Sequence, residues 1–230
     1  MIEHLTVQSI ARDTMDLARQ SIRAGDTLAS VRQLCEDTMR SLGADSFWYW
    51  GIGALVLCGE DTISSVSGRE YETADRVICS EDIITIDLSP QQSRVWGDFA
   101  RTIIVENGSP LDDARLTTHD EWRDGVLAEA QLHSDLIDVA RPSMTFEDLH
   151  TEMNSRINEL GFENLDFLGN VGHSIERRST DRLYIERGNK ARIGDTPFFT
   201  FEPHIRRPAG TFGFKHENIY HFDAERLVEL

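Results

Sequence analysis

Apolar residues in the first part of the chain recur at helical spacing. Val7, Ile10, Ala11, Leu17, Ala18 and Ile22 fall on one side of a helix spanning residues 5–23. Gly25-Asp26-Thr27 interrupts this pattern, and a second amphipathic helix is predicted from Leu28 to Leu42. Gly43 follows it, a residue type suited to the left-handed backbone at a helix C-terminus. The period then changes. Ser46 to Cys58 is rich in aromatic and aliphatic residues and reads as one or two strands. Ile83–Leu88 and Val95–Val105 read as two more, joined by a turn at Ser89-Pro90-Gln91-Gln92. Helical spacing returns from Leu116 to Ala140, with Trp122, Val126, Ala130, His133 and Ile137 along one face.

The segment after this helix repeats an earlier one. When Thr27 is laid on Thr145, Leu28 meets Phe146, Val31 meets Leu149, Cys35 meets Met153, Met39 meets Ile157 and Gly43 meets Gly161. The start signal, the apolar face and the terminating glycine all recur together. The strands downstream follow the same scheme: Thr85-Ile86-Asp87 finds a counterpart in Thr200-Phe201-Glu202, and Asp98 finds one in Glu217. Each half therefore ends in two strands carrying one acid apiece. Packing of the halves about a pseudo-twofold axis would bring four carboxylates together.

Composition narrows the field. The 230 residues suffice for a full core and are 40% hydrophobic, with no run approaching the roughly 18–20 apolar residues of a membrane span. Residues 1–11 show no basic flank followed by an apolar run, so no secretory signal is read and the cytoplasm is the expected compartment. A net charge of -17 disfavours nucleic acid and anionic membranes as partners and favours cations. Cys35, Cys58 and Cys79 form no CxxC pair, and each stands near apolar residues. They read as buried reduced thiols.

The four acids gain meaning from their settings. Asp87 closes the apolar run from Ile83, and Glu202 follows Phe198-Phe199-Thr200-Phe201. A carboxylate drawn out of water there must be protonated, paired with a cation or bound to metal. His173 lies in the loop-like Gly169-Asn170-Val171-Gly172-His173-Ser174. One such acid is ordinarily a solvated strand end or a salt-bridge partner, and one such histidine is ordinarily structural. Together, four oxygen donors and one imidazole suit manganese, iron(II), cobalt or zinc better than copper.

These segments resemble the metallopeptidase family that contains methionine aminopeptidase, aminopeptidase P, prolidase and creatinase. Ile84-Thr85-Ile86-Asp87 followed by Gly97-Asp98-Phe99-Ala100-Arg101-Thr102 resembles the family's two-aspartate motif. Gly172-His173-Ser174-Ile175 resembles its Gly-His-Gly-Ile loop, and Phe199-Thr200-Phe201-Glu202-Pro203 and Lys215-His216-Glu217-Asn218 resemble its two glutamate segments. The resemblance covers the chain from about Gln8 to Phe222. It implies the α+β pita-bread fold: two pseudo-symmetric α/β halves, about 1–110 and 111–230, around antiparallel sheets in one catalytic domain over residues 1–230. It also implies two divalent metal ions. Asp87 would chelate one, Asp98 and Glu217 would bridge the pair, and His173 and Glu202 would complete the second site. Water activated between the ions would be the nucleophile, with Glu202 and His173 as the catalytic side chains and Glu202 moving the proton.

The expected activity is hydrolysis of an amide or peptide bond in a small molecule or short peptide, in the manner of aminopeptidase P or prolidase. The chain resembles the catalytic domain alone, without the additional N-terminal domain of aminopeptidase P, prolidase and creatinase, so a homodimer is expected to cover the cleft. Two departures bear on substrate. No histidine stands between Cys58 and Asp87, where the family places one, and Ile175-Glu176-Arg177-Arg178-Ser179-Thr180 has no imidazole where a second is usual. Arg69, Arg177, Arg178, Tyr184 and His204 are the candidate replacements, and arginine there would favour a substrate bearing a carboxylate. The alternatives are a creatinase-like amidinohydrolase or a lyase acting on a small molecule, and a pseudoenzyme that keeps the fold as a binding module.

Overall fold

The computed structural model describes residues 1–230. Helices α1 (Ile2–Ser21) and α2 (Leu28–Ser41) are followed by strands β1 (Ser46–Phe47), β2 (Ala54–Cys58), β3 (Asp82–Leu88), β4 (Pro90–Gln92), β5 (Val95–Trp96), β6 (Phe99–Glu106) and β7 (Ser109–Pro110). Helices α3 (Asp120–Val139) and α4 (Phe146–Glu159) precede β8 (Glu163–Asn164), β9 (Phe199–Phe201), β10 (His204–Arg206), β11 (Phe214–Lys215), β12 (Asn218–Asp223) and β13 (Arg226–Glu229). Four antiparallel sheets result, in the orders β2-β3-β6-β7, β1-β4-β5, β13-β12-β9 and β11-β10-β8. No helix is long and apolar enough to cross a membrane.

The repeated helices match closely in structure. α2 and α4 each run 14 residues and start at a threonine, Thr27 or Thr145, whose side chain accepts from the backbone N–H three residues on. Such a cap contributes about 1 kcal/mol. The backbone partners also repeat: Leu28 N–H donates to Arg76 O, and Phe146 N–H donates to Ala191 O. Gly43 and Gly161 follow the two helices at φ 110° and 80°, the left-handed turn predicted for that position. The faces Leu28/Val31/Cys35/Met39 and Phe146/Leu149/Met153/Ile157 are fully buried, in two separate cores.

Strand β3 separates those cores. Side chains alternate across a strand, so Ile84, Ile86 and Leu88 pack under α1 and α2 while Ile83 packs with α3 and α4. Thr85 and Asp87, on the same face as Ile83, line a cavity.

The structure corrects several sequence-based boundaries. Leu17 is exposed, because it stands about 200° round the helix from buried Met15. α3 begins at Asp120, after Thr117 and Thr118 have turned to bond the Glu106 carboxylate. Its buried face runs through Leu132, His133 and Leu136, which leaves Ile137 outside. Pro90–Gln92 is a strand, not a turn, paired with both β1 and β5; the chain reverses at Ser93 and Arg94, both at positive φ. Val95–Val105 is not one strand, because it breaks at Gly97-Asp98. A Cβ on Gly97 would lie 2.8 Å from the Val7 carbonyl, so α1 presses against the chain at that point. Cys79 is exposed, whereas Cys35 and Cys58 are buried thiols.

Candidate metal centre

The break at Gly97-Asp98 positions the first of the convergent acids. Buried Gln8 of α1 clamps the Asp98 backbone from both sides: Asp98 N–H donates to Gln8 Oε1 at 2.9 Å, and Gln8 Nε2 donates to Asp98 O at 2.8 Å. Two residues on, Ala100 joins the two halves, its carbonyl accepting from Glu217 N–H at 2.9 Å. Arg101 secures this junction by donating to Glu217 O and to Asn218 Oδ1, each at 2.7 Å, while its guanidinium lies over the Phe99 ring. Thr102 exchanges hydrogen bonds with the Lys215 backbone. The Arg-Thr pair after Asp98 is therefore a clasp that sets the segment bearing Glu217, between β11 and β12.

The second half supplies His173 and Glu202. Phe199 and Phe201 point into the core, so Thr200 and Glu202 face the other way. Thr200 Oγ1 accepts from His173 N–H at 3.0 Å, and Thr200 N–H donates to His173 O at 2.7 Å. Gly172 makes this approach possible. Its φ is 148°, and a Cβ there would lie 2.2 Å from the Thr200 carbonyl oxygen.

These constraints bring the five predicted residues together: four of them line one cavity, and Glu217 lies against two of those, Asp87 and Asp98. Oxygens of Asp87, Asp98 and Glu217 lie within 4.8 Å of one another. His173 Nε2 is 3.5 Å from Asp98 Oδ2 and 3.7 Å from Glu202 Oε1. His173 Nδ1 donates to the Ser174 carbonyl at 2.9 Å, which leaves the Nε2 lone pair facing the acids. The cavity of about 500 Å³ is lined by Asp87, Asp98, His173 and Glu202, with Trp48, Tyr49, Asp166, Arg182, Tyr184, His204 and Lys215 among its other walls.

The electrostatics are those of a cation site. Burial, then the neighbouring Asp87 and Glu202, raises the Asp98 carboxyl well above the usual range; burial and Asp98 do the same to Glu217. Burial moves Glu202 up to about 7. Burial and Arg182 push His173 down to about 3, so its imidazole is neutral. Asp98 Oδ2 and both Glu217 oxygens are buried without a hydrogen-bond partner. Such orphaned acceptors are expensive in a folded protein unless a cation meets them. Buried oxygens beside a neutral imidazole lone pair fit a divalent metal of the manganese, iron, cobalt or zinc type.

The substrate candidates divide. Tyr184 pairs with His173 through a backbone bridge and lines the cavity. His204 lines it too, but its Nε2 is bonded to the Thr62 carbonyl at 2.7 Å. Arg69 and Arg177 do not reach it. Both are exposed; Arg69 covers the Trp50 ring, and Arg177 lies near His4 at the start of α1. Arg178 is exposed as well. A polar loop places arginines in solvent unless a strand or an aromatic wall turns them inward.

Arg182, which sequence reasoning did not single out, is the arginine that lines the cavity, its guanidinium among the rings of Trp48, Tyr49 and Tyr184 at 5.0, 5.9 and 5.2 Å. Lys215 was also missed. Its ammonium pairs with Asp87 Oδ2 and lies 3.3 Å from Glu202 Oε2. A signal for it existed: Lys215 stands two residues before Glu217, the spacing that puts both on one face of an extended chain.

Comparison with known proteins accords with this geometry. The profile of metallopeptidase family M24 matches residues 4–224. A methionine aminopeptidase of Helicobacter pylori is 25% identical over 218 residues, covering 90% of this chain and 77% of its own length. Among solved structures, an X-Pro aminopeptidase of Thermotoga maritima superposes with a TM-score of 0.78 at 21% identity, over 97% of this chain. A methionine aminopeptidase of the same organism superposes at 0.76 and 16% identity, over 98% of this chain. The chain spans 58% of the former's length and 93% of the latter's.

Proposed function

The chain belongs to metallopeptidase family M24, with its pita-bread fold, and on that premise we propose that it is a metal-dependent hydrolase that cleaves an amide or peptide bond of a small substrate in this cavity. The observation that carries the reading is the set of three orphaned carboxylate oxygens, on Asp98 and Glu217, beside the neutral Nε2 of His173. Asp87, Asp98, His173, Glu202 and Glu217 would hold the metal, with donors enough for two divalent ions. When bound, such ions make water acidic enough to attack at neutral pH and polarise the scissile carbonyl.

The chain's own residues supply the rest. Glu202, set in the cavity wall, would be placed to pass a proton between the activated water and a leaving amine. Arg182 is the cation of the cavity's aromatic wall and suits a substrate with a free carboxylate. Tyr184, beside His173, offers a hydroxyl to the same substrate.

A creatinase-like or lyase activity on a small non-peptide molecule is the second reading. It is favoured by the cavity's lack of imidazoles other than His173 and the tethered His204.

The test is a panel of Xaa-Pro dipeptides, peptides with N-terminal methionine, small acyl amides and guanidino acids, assayed with manganese, cobalt or zinc. Turnover of at least one peptide or amide, abolished by chelation, is expected. Turnover of guanidino acids alone would transfer the assignment to the second reading, and no turnover of any substrate would overturn both.

A further inference from the structure

Two ionisable side chains beyond the five convergent residues lack a counter-ion, and both line a second cavity, of about 620 Å³. One is Glu129, on the buried face of α3; neither of its carboxylate oxygens has a hydrogen-bond partner. The other is Arg101. Its hydrogen bonds run from the two terminal nitrogens to neutral oxygens of Ala100, Glu217 and Asn218, and its Nε makes none.

Strand register puts this cavity on the other side of the sheet from the metal centre. Asp87 is paired with Ala100 and leaves β3 toward that centre, whereas Arg101 is paired with Ile86 and leaves β6 on the opposite face. The second cavity is walled by α1, β6 and α3, so it lies where the two halves meet. Met15, Phe99 and Ile103 give it an apolar side from the first core, and Val126 gives it one from the second.

Burial without a partner is costly for either sign of charge. Glu129 and Arg101 could cancel only by meeting, and since neither Glu129 oxygen has a partner, they do not meet. Alone, Glu129 answers its burial with a proton, which still leaves a hydroxyl donor without an acceptor. Arg101 has no such recourse, because a guanidinium stays charged. One small molecule satisfies both groups if it carries an anion and a cation close together on an apolar body.

We propose that this cavity is a second ligand site, for an α-amino acid with an apolar side chain. The carboxylate lies on the free Nε edge of Arg101, the ammonium on Glu129, and the side chain against Met15, Phe99 and Val126. A peptide bond hydrolysed in the other cavity would release this class of molecule, but the site itself does not rest on the hydrolase reading.

The test is calorimetric titration of the whole purified protein, kept free of metal by a chelator, with L-leucine, L-leucine amide and isocaproate. The amide lacks leucine's carboxylate and isocaproate lacks its ammonium. L-leucine is expected to bind saturably, and each of the other two at least about tenfold more weakly, the share of one charge-assisted hydrogen bond. Glu129→Gln, which cannot take the negative charge, should weaken leucine by a similar factor and leave isocaproate unchanged. Ala130→Phe, which fills the cavity from α3, should abolish leucine binding. Isocaproate binding as tightly as leucine to the wild type would overturn the proposal, since an anion alone would then suffice. Loss of leucine binding in Arg182→Ala would place leucine in the metal cavity and overturn it too. No saturable binding of leucine to the wild type would leave the second cavity to water and end the proposal, with the hydrolase assignment standing.

Discussion

Glu217 and Glu129 are alike when each is taken alone. They are 1% and 2% exposed, all four of their carboxylate oxygens lack a hydrogen-bond partner, and burial raises both well above the ordinary glutamate value. Their neighbours separate them. Glu217 has Asp98, Glu202 and Asp87 around it, each pushing its carboxyl further up, against a smaller downward pull from Lys215. Glu129 of α3 faces a second cavity, of about 620 Å³, in which Lys215 and Arg101 are the charges that act on it, and both pull it down. A lone buried acid can meet its burial by keeping one proton. Four acids gathered together generate a field that draws a cation, so the gathering of acids marks a site where burial of one does not.

Replacing Glu217 with alanine should sharpen that contrast most. Loss of metal affinity and of turnover by at least about 100-fold is expected, since even an outer-shell partner of a metal ligand costs 10–100-fold when removed. Calorimetric titration with manganese and steady-state kinetics on the best substrate measure it. Metal binding that survives intact in Glu217→Ala would erase the distinction between the two glutamates.

A smaller effect is expected in the pH dependence of stability. In metal-free protein, Glu202 is raised from an ordinary 4.5 to about 7, so the native state retains a proton that the unfolded chain has released. Stability therefore falls as pH rises through that window. His173 and His133, lowered to about 3, and His204, lowered to about 4, act in the opposite sense, but their contribution levels off about one unit above the ordinary histidine value of 6.5. Asp98 and Glu217, raised well above the ordinary carboxylate range by burial, add to the decline. The melting temperature of metal-free protein should accordingly fall between pH 6.5 and 8, and saturating manganese should remove the decline by stabilising the ionised carboxylates. Scanning calorimetry with and without the metal decides it; a metal-free melting temperature that climbs through this interval would contradict the raised carboxyls.

Glu129→Gln should have the least effect. A glutamine mimics the protonated acid in shape and polarity, so stability should change by less than about 1 kcal/mol. Turnover should match the wild type. Urea denaturation and the same kinetic assay give both numbers, and a large loss of either would mean that Glu129 is ionised and in use.

Much of this was legible in the linear chain. The helix α2, its threonine cap and its left-handed glycine could be read at Thr27–Gly43 and again at Thr145–Gly161, because caps, helical period and positive φ are local properties. The five convergent residues were legible too, since acids at the ends of apolar strands and a histidine after glycine are visible without knowing what they face. Three-dimensional packing settled the rest. It broke Val95–Val105 at Gly97 against α1, so that Gln8 holds Asp98. It left Arg69 and Arg177 in solvent while turning Arg182 onto the aromatic wall. It also set the Lys215 ammonium between Asp87 and Glu202, acids more than a hundred residues apart in the chain. Periodicity records which way a side chain leaves its own backbone. What that side chain meets depends on the distant segment folded against it, and charge at this centre is a sum over several such segments.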